Sequence, residues 1–143
     1  MALVRSVFGG AVDCREVRIR RRKWWWFHPR SVTMAPWGHI HFHPESGSYC
    51  DDFSTARIEL QGHFIHEMTH VWQAQTQGRL WVVLRGAWDR KYRYRLRDGW
   101  PLERYGLEQQ AEIVRHAFLA RIGARQTTAA ERDMLDSLVN SAC

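Results

Sequence analysis

No stretch of this 143-residue sequence approaches the roughly 20 consecutive apolar residues that span a bilayer, which excludes a helical membrane crossing. The opening MALVRSVFGGAVDCREVRIR also lacks a long apolar centre ending in a small-residue cleavage site, so no secretory signal is visible. Cysteine is scarce: Cys14, Cys50 and Cys143 form an odd set without a CxxC pair. That argues against a disulfide framework and for a reducing compartment, with free buried thiols. Lysine is almost missing, since only Lys23 and Lys91 occur, and arginine carries the basic excess. Neither an internal repeat nor a low-complexity tract is present. These absences predict a chain made as a soluble cytoplasmic protein.

What is present points to a packed globular chain. Hydrophobic residues make up 45% and tryptophan occurs eight times, enough to fill a core. The length suits a single domain over residues 1–143 and leaves no room for a second core. A net charge of +6 and a pI near 9.8 favour anionic partners such as nucleic acid, an acidic membrane face or a polyanionic wall polymer.

The first third reads differently from the rest. From Val17 to His43, runs rich in Val, Ile, Trp and Phe are broken by Pro29, Pro36, Gly38 and Pro44, which predicts two or three short strands in a small antiparallel sheet. GHIHFHP is the clearest, with His39, His41 and His43 on one exposed face and Ile40 and Phe42 on the other. A loop follows, with Ser54 or Thr55 as candidate helix cap. Between Ala56 and Gln75 the apolar positions Phe64, Ile65, Met68, Val71 and Trp72 recur at three- and four-residue steps, so they form one buried helical stripe, stopped by Gly78. RLWVVLRGAW reads as a short helix or a buried strand, and a basic aromatic connector leads to turn signals at Asp98, Gly99 and Pro101. Helices are predicted from Leu107 to Ile122 and from Thr127 to Leu138. The fold class is therefore α+β: a small N-terminal sheet packed on a central helix, with further helices behind it.

The chemistry gathers in His66-Glu67-Met68-Thr69-His70. A four-residue step returns to nearly the same helical face, so His66 and His70 can present ring nitrogens to one ion with Glu67 beside them. This is the HExxH arrangement of zinc hydrolases. A catalytic zinc takes three protein ligands and keeps one position open. In GLEQQAEIVRHAF, Glu108, Glu112 and His116 share a face of the downstream helix. Glu108 is the best candidate third ligand, and Glu112 is placed to accept a hydrogen bond from a ligating imidazole. The same spacing also suits a solvated helix face supporting Arg115. His63 is the rival ligand, but steps of three and four along one straight helix spread its ring and those of His66 and His70 over roughly 10 Å. It is set at the rim of the cleft or behind the ligands.

HExxH followed by a glutamate on a downstream helix, with an acidic residue four positions later, resembles the gluzincin class of zinc metallopeptidases. The metzincin pattern HExxHxxGxxH is not met, because Gln73 and Thr76 stand where Gly and His belong. More closely, FIHEMTHVWQ with YGLEQQAEIV resembles small bacterial Vgr-related metallopeptidase-like proteins associated with type VI secretion and Rhs elements, over about Val17 to Phe118. The resemblance implies a minimal zincin-like fold and a Zn²⁺ held by His66, His70 and Glu108. It further implies Glu67 as general base, Glu112 behind the ligands, and export by a signal-less secretion system. Where the thermolysin-like pattern has Asp, this sequence has Glu112, one methylene longer.

The expected reaction is hydrolysis of a peptide bond by water, with Glu67 taking its proton and returning it to the leaving amine. His116 is the first candidate to stabilise the oxyanion, ahead of Tyr92, Tyr94 and Tyr105. GHIHFH is the candidate edge for an extended substrate, a peptide or protein, cell-wall peptide among them. A separate metal site from His39, His41 and His43 is disfavoured, since neighbours on one strand face stand roughly 7 Å apart. In RIRRRKWWWFHP, the cations Arg20, Arg21, Arg22 and Lys23 with Trp24, Trp25 and Trp26 could grip an anionic polymer. The favoured reading puts alternate tryptophans in the core and the cations in solvent. The rival function is accordingly a non-catalytic binding or assembly module that uses this basic aromatic surface.

Overall fold

The computed structural model describes residues 2–30, 32–86 and 91–142. The elements run α1 (Ala2–Phe8), β1 (Ile19–Arg21), β2 (Ile40–Phe42), α2 (Ile58–Gln77), α3 (Arg79–Gly86), α4 (Leu107–Arg121) and α5 (Ala129–Ala142), with 3-10 turns at Pro36–Gly38 and Leu102–Arg104. The α+β class holds. None of these helices is long and apolar enough to cross a membrane.

Helix α2 is the axis of the fold because its predicted stripe is real: Phe64, Ile65, Met68, Val71 and Trp72 are all buried. Gly78 ends it at φ 98°, a conformation that a residue with a Cβ adopts only under strain. Its start differs from expectation. Ser54 gives its backbone N–H and its hydroxyl to Asp52 at 2.8 and 2.6 Å, forming a local turn, and the helix begins later with Arg57 at the cap. Helix α4 opens at Gly106, whose N–H is taken by the Gln109 side chain at 3.1 Å. One hydrophobic cluster joins α1 through Phe8, β2 through Ile40 and Phe42, α2, α4 through Ile113 and Val114, and α5 through Leu135 and Val139.

The sheet is parallel, not antiparallel: Ile19 pairs with Ile40, Arg20 with His41 and Arg21 with Phe42. Residues 22–39 intervene, a crossover rather than a hairpin loop, and only a crossover can join parallel neighbours. Antiparallel pairing survives in one bridge on the other side of β2, where Met34 and His41 exchange backbone bonds of 3.1 and 2.7 Å.

The tryptophan run also departs from expectation. Trp24, Trp25, Trp26 and Phe27 are exposed, Trp26 by 83%, and His28 is the residue that turns inward. Its Nδ1 accepts the Trp24 N–H at 3.2 Å and its Nε2 donates to the Val32 carbonyl at 2.6 Å. Those bonds hold the segment as a tight turn with its aromatic side chains outward. His41 and His43 are buried rather than exposed: the His28 ring lies 6.0 Å from that of His43, and Met34 bridges His41 along the strand edge. Cys14 and Cys50 are free and half-buried, while Cys143 and residues 87–90, the end of RLWVVLRGAW and the start of the predicted connector, lie outside the described residues.

Candidate metal centre

Helices α2 and α4 pack closely because Gly62 presents no side chain. A Cβ there would stand 3.3 Å from the Leu119 side chain and 3.4 Å from that of Arg115. One turn further along α2, the approach brings His66 and His70 against Glu108. The His66 Nε2 lies 3.2 Å from Glu108 Oε2, the His70 Nε2 lies 3.4 Å from the same oxygen, and the two Nε2 atoms are 3.3 Å apart. Two imidazole nitrogens and a carboxylate oxygen thus form a nearly equilateral triangle. A tetrahedral ion with ligands at about 2.0–2.1 Å has edges of roughly 3.3–3.4 Å, so the donor set matches zinc in both chemistry and size. Among the described residues this is the one His/Cys/Asp/Glu group whose ligand atoms converge, and the strand histidines are not part of it.

The other ring nitrogens are committed elsewhere. His66 Nδ1 donates to Glu112 Oε1 at 2.9 Å, and His70 Nδ1 donates to Gln73 Oε1 at 2.8 Å. Each bond selects the tautomer that leaves Nε2 as the lone-pair donor toward the triangle. Glu112 is itself held by Arg115 at 3.1 Å and by His116 Nε2 at 3.3 Å.

Glu67 is buried beside the triangle, with His63 Nε2 3.7 Å from its Oε1. His63 also meets the Thr33 hydroxyl at 2.8 Å, so it stands behind the carboxylate rather than among the ligands. Burial holds its pKa below the ordinary histidine value against the opposing pull of Glu67. His116 sits at one remove: its Nδ1 meets the Tyr94 hydroxyl at 2.6 Å and its Nε2 faces Glu112, which occupies both ring nitrogens. Tyr92 lies closer to the chemistry. Its ring stacks on His66 at 6.1 Å and 22°. Burial, then the carboxylates of Glu108 and Glu67, push its phenol above the ordinary range, so it stays a proton donor. A cavity of about 980 Å³ adjoins the cluster, with Tyr92, Tyr94, Trp100, Tyr105, Glu112 and His116 in its lining; His66, Glu67, His70 and Glu108 do not line it.

Electrostatics tie the cluster together. Burial opposes the charged form of His66, but hydrogen bonds to Glu108 and Glu112 outweigh it and lift the pKa to about 9. Burial likewise works against the ionised Glu108 and Glu112, yet their bonds to the histidines, with Arg115 added at Glu112, hold both down to about 2. The carboxylates are therefore ionised at neutral pH and ready to balance a cation.

No family model matches the chain. It is 39% identical over 129 residues to the type VI secretion system spike protein VgrG2b of Pseudomonas aeruginosa, a match that takes in 85% of this chain and 12% of that protein. The solved effector domain of Pseudomonas aeruginosa VgrG2b is 35% identical with a TM-score of 0.75, over 95% of this chain and 75% of that one. The chain belongs to the VgrG2b effector-domain family.

Within this VgrG2b-type domain, the participant that sequence reasoning missed is Gln73. It is fully buried, and its amide N–H groups donate to the Leu107 carbonyl at 3.1 Å and to Gln110 Oε1 at 2.9 Å. Gln110 in turn donates to the Tyr105 carbonyl at 2.7 Å. These bonds fix which way the Gln73 amide points and so present its oxygen to His70. Its place three residues after His70 was the available signal, since that step shares a helix face. Gln73→Leu is expected to weaken zinc binding by about 10- to 100-fold while α2 still forms, checked by competition against a zinc chelator and by circular dichroism.

The predicted substrate edge also moves. Strand β2 is paired on both sides, by β1 and by the Met34 bridge, so GHIHFH offers no free edge. The outer strand position belongs to Thr33 and Met34, the segment that also reaches His63 and, through it, Glu67.

Proposed function

We propose that this VgrG2b-type domain is a zinc-dependent peptidase of the gluzincin type, acting as a type VI secretion-associated effector. One observation carries the enzymatic part: the 3.2–3.4 Å triangle of His66, His70 and Glu108 beside a buried carboxylate. The effector part rests on membership of a family whose named member is a spike-protein effector domain. When bound, zinc supplies Lewis-acid polarisation of a carbonyl and acidifies water. His66, His70 and Glu108 would hold it. Glu67 takes the proton from the attacking water and returns it to the leaving amine. Tyr92 donates to the carbonyl oxygen as negative charge builds there. Glu112 and Gln73 fix the ligand rings, and His116 with Tyr94 braces Glu112. An extended peptide adds alongside Thr33 and Met34 and places a side chain in the cavity lined by Tyr92 and Trp100. The substrate is a peptide or protein, cell-wall peptide being the class that the secretion setting adds.

The test combines metal content with hydrolysis. The purified chain should bind one zinc ion, cleave members of a mixed peptide library, and lose that cleavage in chelator with recovery on adding zinc. A chain that takes up no zinc, or cleaves equally well in chelator, overturns the reading. A second reading, a non-catalytic binding module, is favoured by the exposed run Trp24, Trp25, Trp26 and Phe27 beside Arg21, Arg22 and Lys23.

A further inference from the structure

The outer face of the two-stranded sheet carries a second concavity, remote in chemistry from the metal cluster. Parallel register puts Arg20 opposite His41, and paired residues share a face of the sheet. Two-residue alternation adds His39 and Arg22 to that face, while Ile40 and Phe42 point the other way into the core. The resulting cleft, of about 310 Å³, is lined by Arg20, Arg22, Trp24, Trp37, His39 and His41. None of these residues belongs to the His66, His70 and Glu108 cluster or lines the cavity beside it.

The cleft holds ring nitrogens that no hydrogen bond uses. His41 is only 5% exposed; its ring hydrogen-bonds the Arg22 backbone while its Nδ1 meets no partner, and the Nδ1 of His39 is buried and unpartnered as well. A buried ring nitrogen without a partner is costly and calls for a ligand. Burial and then Arg20, Arg22 and His39 keep the pKa of His41 below the ordinary value, so the site's own field is positive. No carboxylate lines the cleft, and among the described residues neither Arg20 nor Arg22 is ion-paired. Arg21, between them, points elsewhere: its Nε donates to the Pro44 carbonyl at 3.1 Å and its guanidinium lies over the Tyr49 ring at 5.3 Å. The basic run of the sequence is thus divided, with alternate arginines turned into the cleft.

We propose that this cleft is a binding site for a phosphate group carried on a flat ring. Arg20, Arg22 and His39 offer more donors than the two oxygens of a carboxylate can use, whereas a phosphate presents three strong acceptor oxygens. Trp24 and Trp37, 36% and 53% exposed, supply faces for the ring. Trp37 is held at φ 61°, a conformation uncommon for a residue with a Cβ, and so the backbone commits it to this position. The volume suits one ring and its phosphate, not a polymer track. A nucleoside monophosphate and a phosphorylated small aromatic ring are the two sources of that chemistry.

Titration of the full chain with phenyl phosphate, inorganic phosphate and benzoate tests the assignment, read by calorimetry and by the imidazole resonances of His39 and His41. Phenyl phosphate should move both sets of resonances and bind roughly tenfold tighter than inorganic phosphate, the increment that stacking supplies. Arg20→Gln with Arg22→Gln should abolish the response, and Trp37→Leu should bring phenyl phosphate down to the affinity of inorganic phosphate. Adenosine 5′-monophosphate and phenyl phosphate then distinguish the sources by which binds tighter, and glucose 6-phosphate, whose ring is not flat, should bind no tighter than inorganic phosphate. The proposal is overturned if no phosphate moves the His39 and His41 resonances, if benzoate binds as tightly as phenyl phosphate, or if the double arginine variant responds like the parent.

Discussion

Glu67→Ala is expected to hold zinc as tightly as the parent chain while peptide hydrolysis falls by about 10²–10⁴-fold. The ligand triangle is built from His66, His70 and Glu108, and each of its members is oriented by a residue other than Glu67, so the substitution leaves it standing. Stability is the sharper discriminator. Glu67 is 5% exposed, its neighbour His63 stands 3.7 Å away, and burial holds that imidazole toward its neutral form. A carboxylate kept in such a place is costly to bury. Removing it should leave the melting temperature unchanged or raise it, the opposite of what loss of a structural ion pair does. Zinc titration, thermal unfolding and peptide cleavage on the same preparation separate these outcomes. Cleavage within a few-fold of the parent would end the enzymatic reading and leave the binding-module reading in its place.

The parts of this site that were legible in the sequence are those that a helical period encodes. Phe64, Ile65, Met68, Val71 and Trp72 announce the buried side of α2, and the four-residue step from His66 to His70 announces the ligand side. Glu108 and Glu112 follow from the same rule on α4, and the structure puts their carboxylates within 3.2 Å and 2.9 Å of His66. What the period cannot encode is pairing between distant segments. The direction of β1 against β2 is set by the crossover of residues 22–39, and local alternation is identical in either direction. The tryptophan run misled for a related reason. Apolar content predicts burial, but His28 uses both ring nitrogens on the backbone of its own turn and takes the inward position. The helical step put Gln73 beside His70 but could not assign its role, because a buried amide is recognised by its partners, and those lie on α4. Helix α1 was invisible too: seven residues are too few to be stable alone, and Val4, Val7 and Phe8 hold it by packing.

The second large effect is a reversal of pH dependence between the metal-free and zinc-loaded forms. Without metal, His66 titrates near 9 instead of at its ordinary 6.5, because its bonds to Glu108 and Glu112 outweigh its burial. A raised pKa contributes stability that is fully present below about 6.5 and is lost as pH rises through about 9, on the order of 3 kcal/mol for this group. Glu108 and Glu112, held down to about 2, have the opposite sign: their contribution is present above the ordinary 4.5 and is lost as pH falls toward 2. These are one set of contacts seen from both partners, so they set a window, not a sum. The metal-free chain should be most stable between about pH 4.5 and 6.5. Zinc must displace the His66 proton to bind, so its affinity should climb by roughly tenfold per pH unit over pH 6.5–9. Melting temperatures in chelator should therefore fall across that interval while those in excess zinc hold or rise, and the gap between the two curves should widen steadily. Glu108→Ala removes both the third ligand and one of the acceptors that raise the His66 pKa, so it should collapse the gap at every pH and flatten the metal-free curve above pH 6.5. A parent gap that does not change with pH would show that zinc does not compete with the His66 proton, and a Glu108→Ala variant that binds zinc as tightly as the parent would remove Glu108 from the ligand set.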